Sequence, residues 1–322
     1  MIIESVIKKM NEFGRNNLPF FFIINFDATE GFICKLNECK EENIIFNIEG
    51  ITNSLDRTIS ITPKIIKYPE NIEQYKNKFS KVIKELKYGN TYLINLTCKT
   101  KIEIDTDLKS LYYATYGKFK LYFKNQFVCF SPECFVKTND NYIYTYPMKG
   151  TMINSNEFSL ETILKDTKEL AEHNTIVDLL RNDLSIISED VEVTKFRFPS
   201  FVKTKDKEII QLSSEIRGKL NSNWKNNIGD LLIKILPAGS VTGAPKKETV
   251  RIIKEVENYN RGYYTGIFGI FDGKELNSAV IIRYIENENG IYYYKSGGGI
   301  TINSSLENEY QEMIDKIYAP IH

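Results

Sequence analysis

Residues 120–146 read KLYFKNQFVCFSPECFVKTNDNYIYTY. Apolar and polar side chains alternate over Lys120–Phe130 and again over Tyr142–Tyr146, the two-residue period of strands with one face in a core. The spacing predicts paired strands with Ser131-Pro132-Glu133 at the bend between them.

Upstream, β-type runs occupy Phe20–Asn25 and Ile44–Ile48, a helical apolar period covers Ile72–Lys87, a strand follows at Thr91–Cys98 and a helix at Leu108–Tyr116. Downstream, Leu160, Ile163, Leu164, Leu170, Ile176, Val177, Leu180 and Leu184 recur at helical spacing with no Pro or Gly between them. They predict one long helix, or two joined, over Ser159–Ile187. Further helices are predicted at Asn227–Ile235, Lys246–Glu257 and Leu306–Ile317, and strands at Gly266–Phe271, Ser278–Ile285 and Ile291–Ser296. The elements come in mixed runs and not in strict βαβ alternation, so the expected class is α+β with large antiparallel sheets. No Pro, Gly or Ser linker divides the 322 residues, which points to a single large domain over 1–322.

Charge and cysteine usage narrow the function classes. The 42 basic and 42 acidic side chains cancel, so no bulk field recruits nucleic acid or an anionic membrane. Apolar stretches such as Phe20–Phe26 are too short to span a bilayer, and the opening MIIESVIKKMNEF lacks a signal peptide's apolar segment. A cytoplasmic protein is expected. Five cysteines without a CxxC pair fit neither a disulfide framework nor a zinc site.

Two acidic motifs fall on predicted helices. Glu169 and Glu172 are three residues apart and so lie within about 60° of one another on an ideal helix. Glu309, Glu312 and Lys316 share a face in the same way. Carboxylates from two such helices can meet around a hard divalent cation, for which oxygen-only ligands suit magnesium; the same spacing also describes solvated helix faces. His173 and the terminal His322 are the only histidines. No GxSxG elbow is present. Pro237–Lys246, with Thr242 as a candidate cap and Pro245 near the first turn, runs into a helix but fails the P-loop spacing. Ser296-Gly297-Gly298-Gly299-Ile300-Thr301 ends a predicted strand, where exposed N–H groups can form an anion nest or a plain turn. Arg283, on an apolar strand, can fork onto a carboxylate or make a structural salt bridge. Lys149 follows an apolar strand, between Pro147 and Gly150; in an apolar setting it would become an amine nucleophile, whereas most lysines are solvated. Glu133 comes near Lys149 if the intervening segments form a hairpin, and burial would make it an acid.

Taken together these residues resemble the chorismate-utilising enzymes, the family of anthranilate, aminodeoxychorismate, isochorismate and salicylate synthases. The resemblance runs through SPE (131–133), PMKGT (147–151), KELAEHNTIVDLLRNDL (168–184), PAGSVTGAPK (237–246), RGYYTGIFG (261–269), Ala279–Arg283, and SGGGIT with the following EYQEMIDK. It implies a two-sheet β-sandwich core flanked by helices, with residues 1–70 a shortened amino-terminal part and 71–318 the catalytic region. It also implies Mg²⁺ bridging chorismate to glutamates. Glu172 and Glu312 match its direct ligands, and Glu169 and Glu309 those acting through water. Tyr264, Arg283, Gly297, Gly298, Gly299 and Lys316 match positions around the substrate carboxylates, with Gly150 and Thr151 lining the same pocket. Glu133 matches the general acid and His173 a histidine beside the ring.

Lys149 decides the subfamily in this comparison. Anthranilate synthases look like PIAGT here; the aminodeoxychorismate type looks like PIKGT, its lysine adding to the ring as the hydroxyl leaves. Family members that activate water carry a lysine base where this chain has Leu93, and amino-transferring members often carry Gln there. The chain contains no glutamine amidotransferase nucleophile motif, so a separate small subunit is expected to supply ammonia. No LLES-type segment for tryptophan is present, and feedback inhibition is not expected. The other readings are an anthranilate synthase large subunit and, from another class, a non-catalytic anion- or nucleotide-binding module.

Overall fold

The computed structural model describes residues 1–54, 59, 61–154, 159–203 and 208–321, without the side chains of Thr151, Ile153, Lys168, Val202, Lys203 and Ile209. Two antiparallel sheets, of nine strands each among the described residues, are stacked and covered by helices. The stacking follows from strands that bury both faces. In Phe20–Ile24 all five side chains are buried. Phe20, Phe22 and Ile24 pack with Val6 and Met10 of the helix Ile3–Arg15. Phe21 and Ile23 pack the other way, against Phe46, Phe119 and Leu121 of the second sheet. The outer face of that sheet is closed by the helices Ile72–Lys87, Leu108–Ala114 and Lys246–Val256. The expected α+β sandwich flanked by helices is what forms.

The helix Ile72–Lys87 forms within its predicted bounds because Asn71 caps it: its side chain accepts from Gln74 N–H while Gln74 reaches back to Asn71 N–H. The run Ser159–Ile187 resolves into two helices, Ser159–Lys165 and Thr167–Ser185. Several expectations need correction. The amino-terminal part opens with the helix Ile3–Arg15, where only β-type runs were expected. A long hairpin, Glu189–Lys203 with Glu208–Lys219, was not predicted at all. Leu93–Ile104 and Ile291–Ile300 run well past their predicted ends and pair along their length. The glycines 297–299 therefore lie inside a ladder, opposite Thr97, Leu96 and Asn95, and not in a loop after it. Thr242 does not cap the helix Lys246–Val256, whose N-cap is Pro245; its hydroxyl donates to the Ala238 carbonyl.

The opening stretch also pairs differently. Phe119–Phe123 and Phe127–Ser131 form a hairpin in the second sheet, while Cys134–Asn139 and Tyr142–Thr145 form one in the first. Ser131-Pro132-Glu133 is thus a crossing between sheets, because alternation specifies a strand's face but not its partner.

Candidate active site

A second crossing lies directly beside the first. Phe127–Ser131 pairs with Tyr284–Glu288 in the second sheet, and Cys134–Asn139 pairs with Leu276–Val280 in the first. One two-stranded ribbon therefore passes from sheet to sheet. Its two bends are bonded to each other, Phe130 N–H to the Arg283 carbonyl at 3.1 Å and Val280 N–H to the Glu133 carbonyl at 3.2 Å. Arg283, predicted on a strand, sits instead at this bend with φ of 54°. That left-handed backbone costs a non-glycine residue about 1 kcal/mol or more and is held in place by the crossing.

Beside the bends opens a cavity of about 370 Å³, within the range of small-molecule sites. Glu133, Lys149, Glu172, Tyr264, Arg283, Gly297, Gly298, Gly299, Glu312 and Lys316 all line it. They come from the bends of the ribbon, from the strand Met148–Ile153, from the helix Thr167–Ser185, from the helix Leu306–Asp315 and its C-cap Lys316, from the glycine-bearing strand, and, for Tyr264, from the turn before Ile267–Phe271. Gly150, Glu169 and Glu309 stand just behind this wall. A Cβ on Gly150 (φ 93°) would lie 3.3 Å from Glu169 Oε2, and one on Gly298 would lie 3.2 Å from Glu312 Oε1 and 3.3 Å from Glu309 Oε2. Glu169 on one helix, and Glu309 and Glu312 on the other, thus lie against a glycine, and the missing side chain is the room they occupy. The Thr151 side chain lies outside the described residues.

Lys149 Nζ is 2.7 Å from Glu172 Oε2. Burial works against its charge, but the hydrogen bond to Glu172 and the charges of Glu172, Glu312 and Glu169 outweigh it and hold the amine above its ordinary pKa. The expectation of an apolar setting that strips the proton is therefore corrected: Lys149 is an ammonium in an acidic cluster. Lys316 Nζ bonds Glu312 Oε1 at 2.5 Å and the Gly297 carbonyl at 2.8 Å. Burial likewise opposes ionisation of Glu312, yet the adjacent Lys316 brings its carboxyl below the usual value. Glu309 is raised, by burial and by Glu312. Burial raises Glu133 as well, against the pull of Ser240 and Lys316.

His173 is fully buried and is not on the cavity wall. Its Nδ1 is 3.2 Å from the Lys149 carbonyl and its Nε2 is 2.7 Å from Ser214 Oγ. A carbonyl only accepts, so Nδ1 carries the proton and Nε2 accepts from Ser214, which in turn accepts from Arg197 N–H. Burial lowers its pKa and keeps it neutral. In this structure it braces the Lys149 backbone from below and does not face the cavity.

Four glutamate side chains with oxygen donors suit a hard cation such as Mg²⁺. Among the described residues, no trio of acidic, histidine or cysteine groups is gathered as a ready-made metal centre. Lys149 and Lys316 are instead paired with Glu172 and Glu312. Sequence reading missed Ser240, Asn95 and Thr265 on the cavity wall and Ser214 behind it. Ser240 lay in the loop Pro237–Lys246, where no role was read for its hydroxyl, and Ser214 in the unpredicted hairpin.

Residues 36–322 match the family model described as chorismate binding enzyme. The chain is 47% identical over 322 residues to an uncharacterized PabA-like protein of Haemophilus influenzae, covering 99% of this chain and 97% of that one. It is 32% identical to anthranilate synthase component 1 1 of Haloarcula marismortui, over 76% of this chain and 52% of that one. Identity is 29% to aminodeoxychorismate synthase component 1 of Bacillus subtilis, over 75% and 54%. The chain spans about half the length of these two synthases. Among solved structures, it superposes on anthranilate synthase component I from Streptococcus pneumoniae with a TM-score of 0.67 at 27% identity, covering 83% of this chain and 60% of that one. It superposes on an isochorismate synthase from Bacillus anthracis with a TM-score of 0.72 at 20% identity, over 98% and 88%, a likeness of fold.

Proposed function

Since the chain belongs to the chorismate-binding enzymes, we propose that it is the large subunit of an aminodeoxychorismate synthase, joining chorismate and ammonia to give 4-amino-4-deoxychorismate. The observation that carries this reading is Lys149 on the cavity wall with an acid of raised pKa, Glu133, on the same wall.

Deprotonated Lys149 adds to the ring through its amine as the hydroxyl departs, and Glu133 gives that hydroxyl a proton so that it leaves as water. Ammonia then forms the new C–N bond, the bond to lysine breaks with its electron pair returning to Nζ, and one ammonia proton goes back to Glu133. The sum is chorismate plus ammonia to aminated product plus water. Arg283, Tyr264, Lys316 and the glycine strand would hold the substrate carboxylates, with His173 keeping the Lys149 backbone in place. Glu172 and Glu312 would hold Mg²⁺, with Glu169 and Glu309 behind them. That ion, when bound, supplies positive charge that neutralises the cluster opposing Lys149 deprotonation. Leu93, on the wall, offers no base to activate water. Ammonia would come from a glutamine amidotransferase subunit.

Purified protein given chorismate, Mg²⁺ and ammonium should yield 4-amino-4-deoxychorismate by chromatography, and glutamine without a partner subunit should yield none. Anthranilate as the product would overturn the reading. Tight ATP binding with no metal-dependent turnover of chorismate would instead support a binding module.

A further inference from the structure

Ser240 lies in the short turn Gly239–Val241, between the helices Ile228–Ile235 and Lys246–Val256. The turn is tied from several directions. Gly239 N–H donates to Asp183 Oδ2 at 3.2 Å, and Lys246 Nζ grips Asp183 Oδ1 at 2.7 Å and the Ile235 carbonyl at 2.8 Å. Buried Arg261 donates to the Val241 carbonyl at 2.8 Å. A Cβ on Gly239 would stand 2.8 Å from Asp183 Oδ2, so glycine is what lets that carboxylate approach. The one cavity-lining hydroxyl this bracing delivers is that of Ser240, which donates to Glu133 Oε1. The Glu133 backbone is fixed separately at the crossing. Its side chain still has three rotatable bonds, and Ser240 anchors its head.

We infer that Ser240 is a positioning residue for the acid: by donating to Oε1 it reserves that oxygen as an acceptor and directs the transferable proton to Oε2. A carboxylic acid carries its proton on one oxygen only, and a donor already seated on the other makes that choice. The inference rests on Glu133 acting as the acid in the proposed reaction. The charged group facing Glu133 is Lys316, at the end of the helix Leu306–Asp315, and it pulls the pKa down as Ser240 does, both against burial.

The test pairs kinetics with a titration that needs no turnover. In protein carrying ¹³C-labelled glutamate carboxyls, the Glu133 resonance is assigned by its loss in Glu133→Gln. Ser240→Ala should move its titration midpoint upward, because a bond favouring the carboxylate is gone. The same variant should lower kcat with ammonia on the order of tenfold while KM for chorismate stays within about twofold, and the basic limb of the kcat profile should move to higher pH. Ser240→Thr, which keeps the hydroxyl, should restore all three. An unmoved midpoint, or kcat and KM worsening together, would overturn the assignment. Product identity in the unsubstituted protein reports separately on the amination reading: anthranilate would sink that reading while leaving the Ser240 comparison intact.

Discussion

Lys149 is the residue on which the proposed chemistry turns, and its surroundings reverse the simplest expectation about it. A lysine between Pro147 and Gly150 after an apolar strand reads as desolvated, yet long-range pairing brings Glu172 to 2.7 Å. Carboxylates 20 and more positions away, Glu169, Glu172 and Glu312, cannot be weighed from local pattern. Lys149→Ala should lower the ammonia-dependent rate on the order of 10³-fold while leaving chorismate affinity nearly unchanged, measured by turnover beside equilibrium binding; equal losses would make it a binding residue. With Mg²⁺ neutralising the cluster, the rate should rise with pH as the Lys149 amine gives up its proton and fall as Glu133, raised by burial, loses the proton it would donate. A different lysine bears on stability. Lys120 is buried, donates to the Thr115 carbonyl at 2.5 Å and lies 4.3 Å from the Tyr112 ring centre, and burial lowers its pKa to about 8. Below that value the folded state must bury a charge that the unfolded chain solvates; between about 8 and the ordinary 10.5 the unfolded chain alone binds the proton, so stability rises with pH. Lys120→Met should therefore stabilise by on the order of 1 kcal/mol near neutrality. Denaturant titrations should show this advantage shrinking as pH climbs towards 10; a pH-independent difference would refute the account.

At the scale of elements, what was legible is what local chemistry dictates. Ile72–Lys87 carries a cap and an apolar period, and its bounds follow. The helix Ile3–Arg15 has Val6 and Met10 on one face, but its Ncap residue, Ile2, makes no side-chain cap bond. The hairpin Glu189–Lys203/Glu208–Lys219 escaped because it leaves Phe196 and Phe201 exposed and has register shifts that break alternation. The acidic motifs were readable as helix faces; that each faces a glycine was not, since the glycines arrive from distant strands. Gly298→Ala tests that relation. Its Cβ would press on Glu312 and Glu309 from 3.2 and 3.3 Å, and these flexible ends can yield only by leaving their places. Activity should fall at least about tenfold, with a melting temperature within about 3 °C of the parent. A large loss of melting temperature would show that the glycine serves the ladder instead.

For the whole molecule, antiparallel layering was readable from alternation, whereas the order of strands was not: pairing within each sheet joins residues such as Phe20 and Phe271. The candidate site was legible mainly as a set of motifs in one order along the chain, and ten of its residues meet at one cavity. The motif set did not reveal how they meet. The expected dependence on a second subunit belongs to this scale: adding a glutaminase-active partner should make glutamine serve in place of ammonium, read by the same chromatography, and failure with a partner shown to bind would leave this chain ammonia-dependent. The shared ribbon has a mechanical consequence. Sliding one sheet over the other would require peeling apart the bonds that fasten the two bends, so the backbones of Glu133 and Arg283 are tied into one unit. The glutamates, by contrast, are carried on two separate helices that are not stitched into this ribbon: one wall of the cavity is a single seam, and the other is assembled from independent pieces.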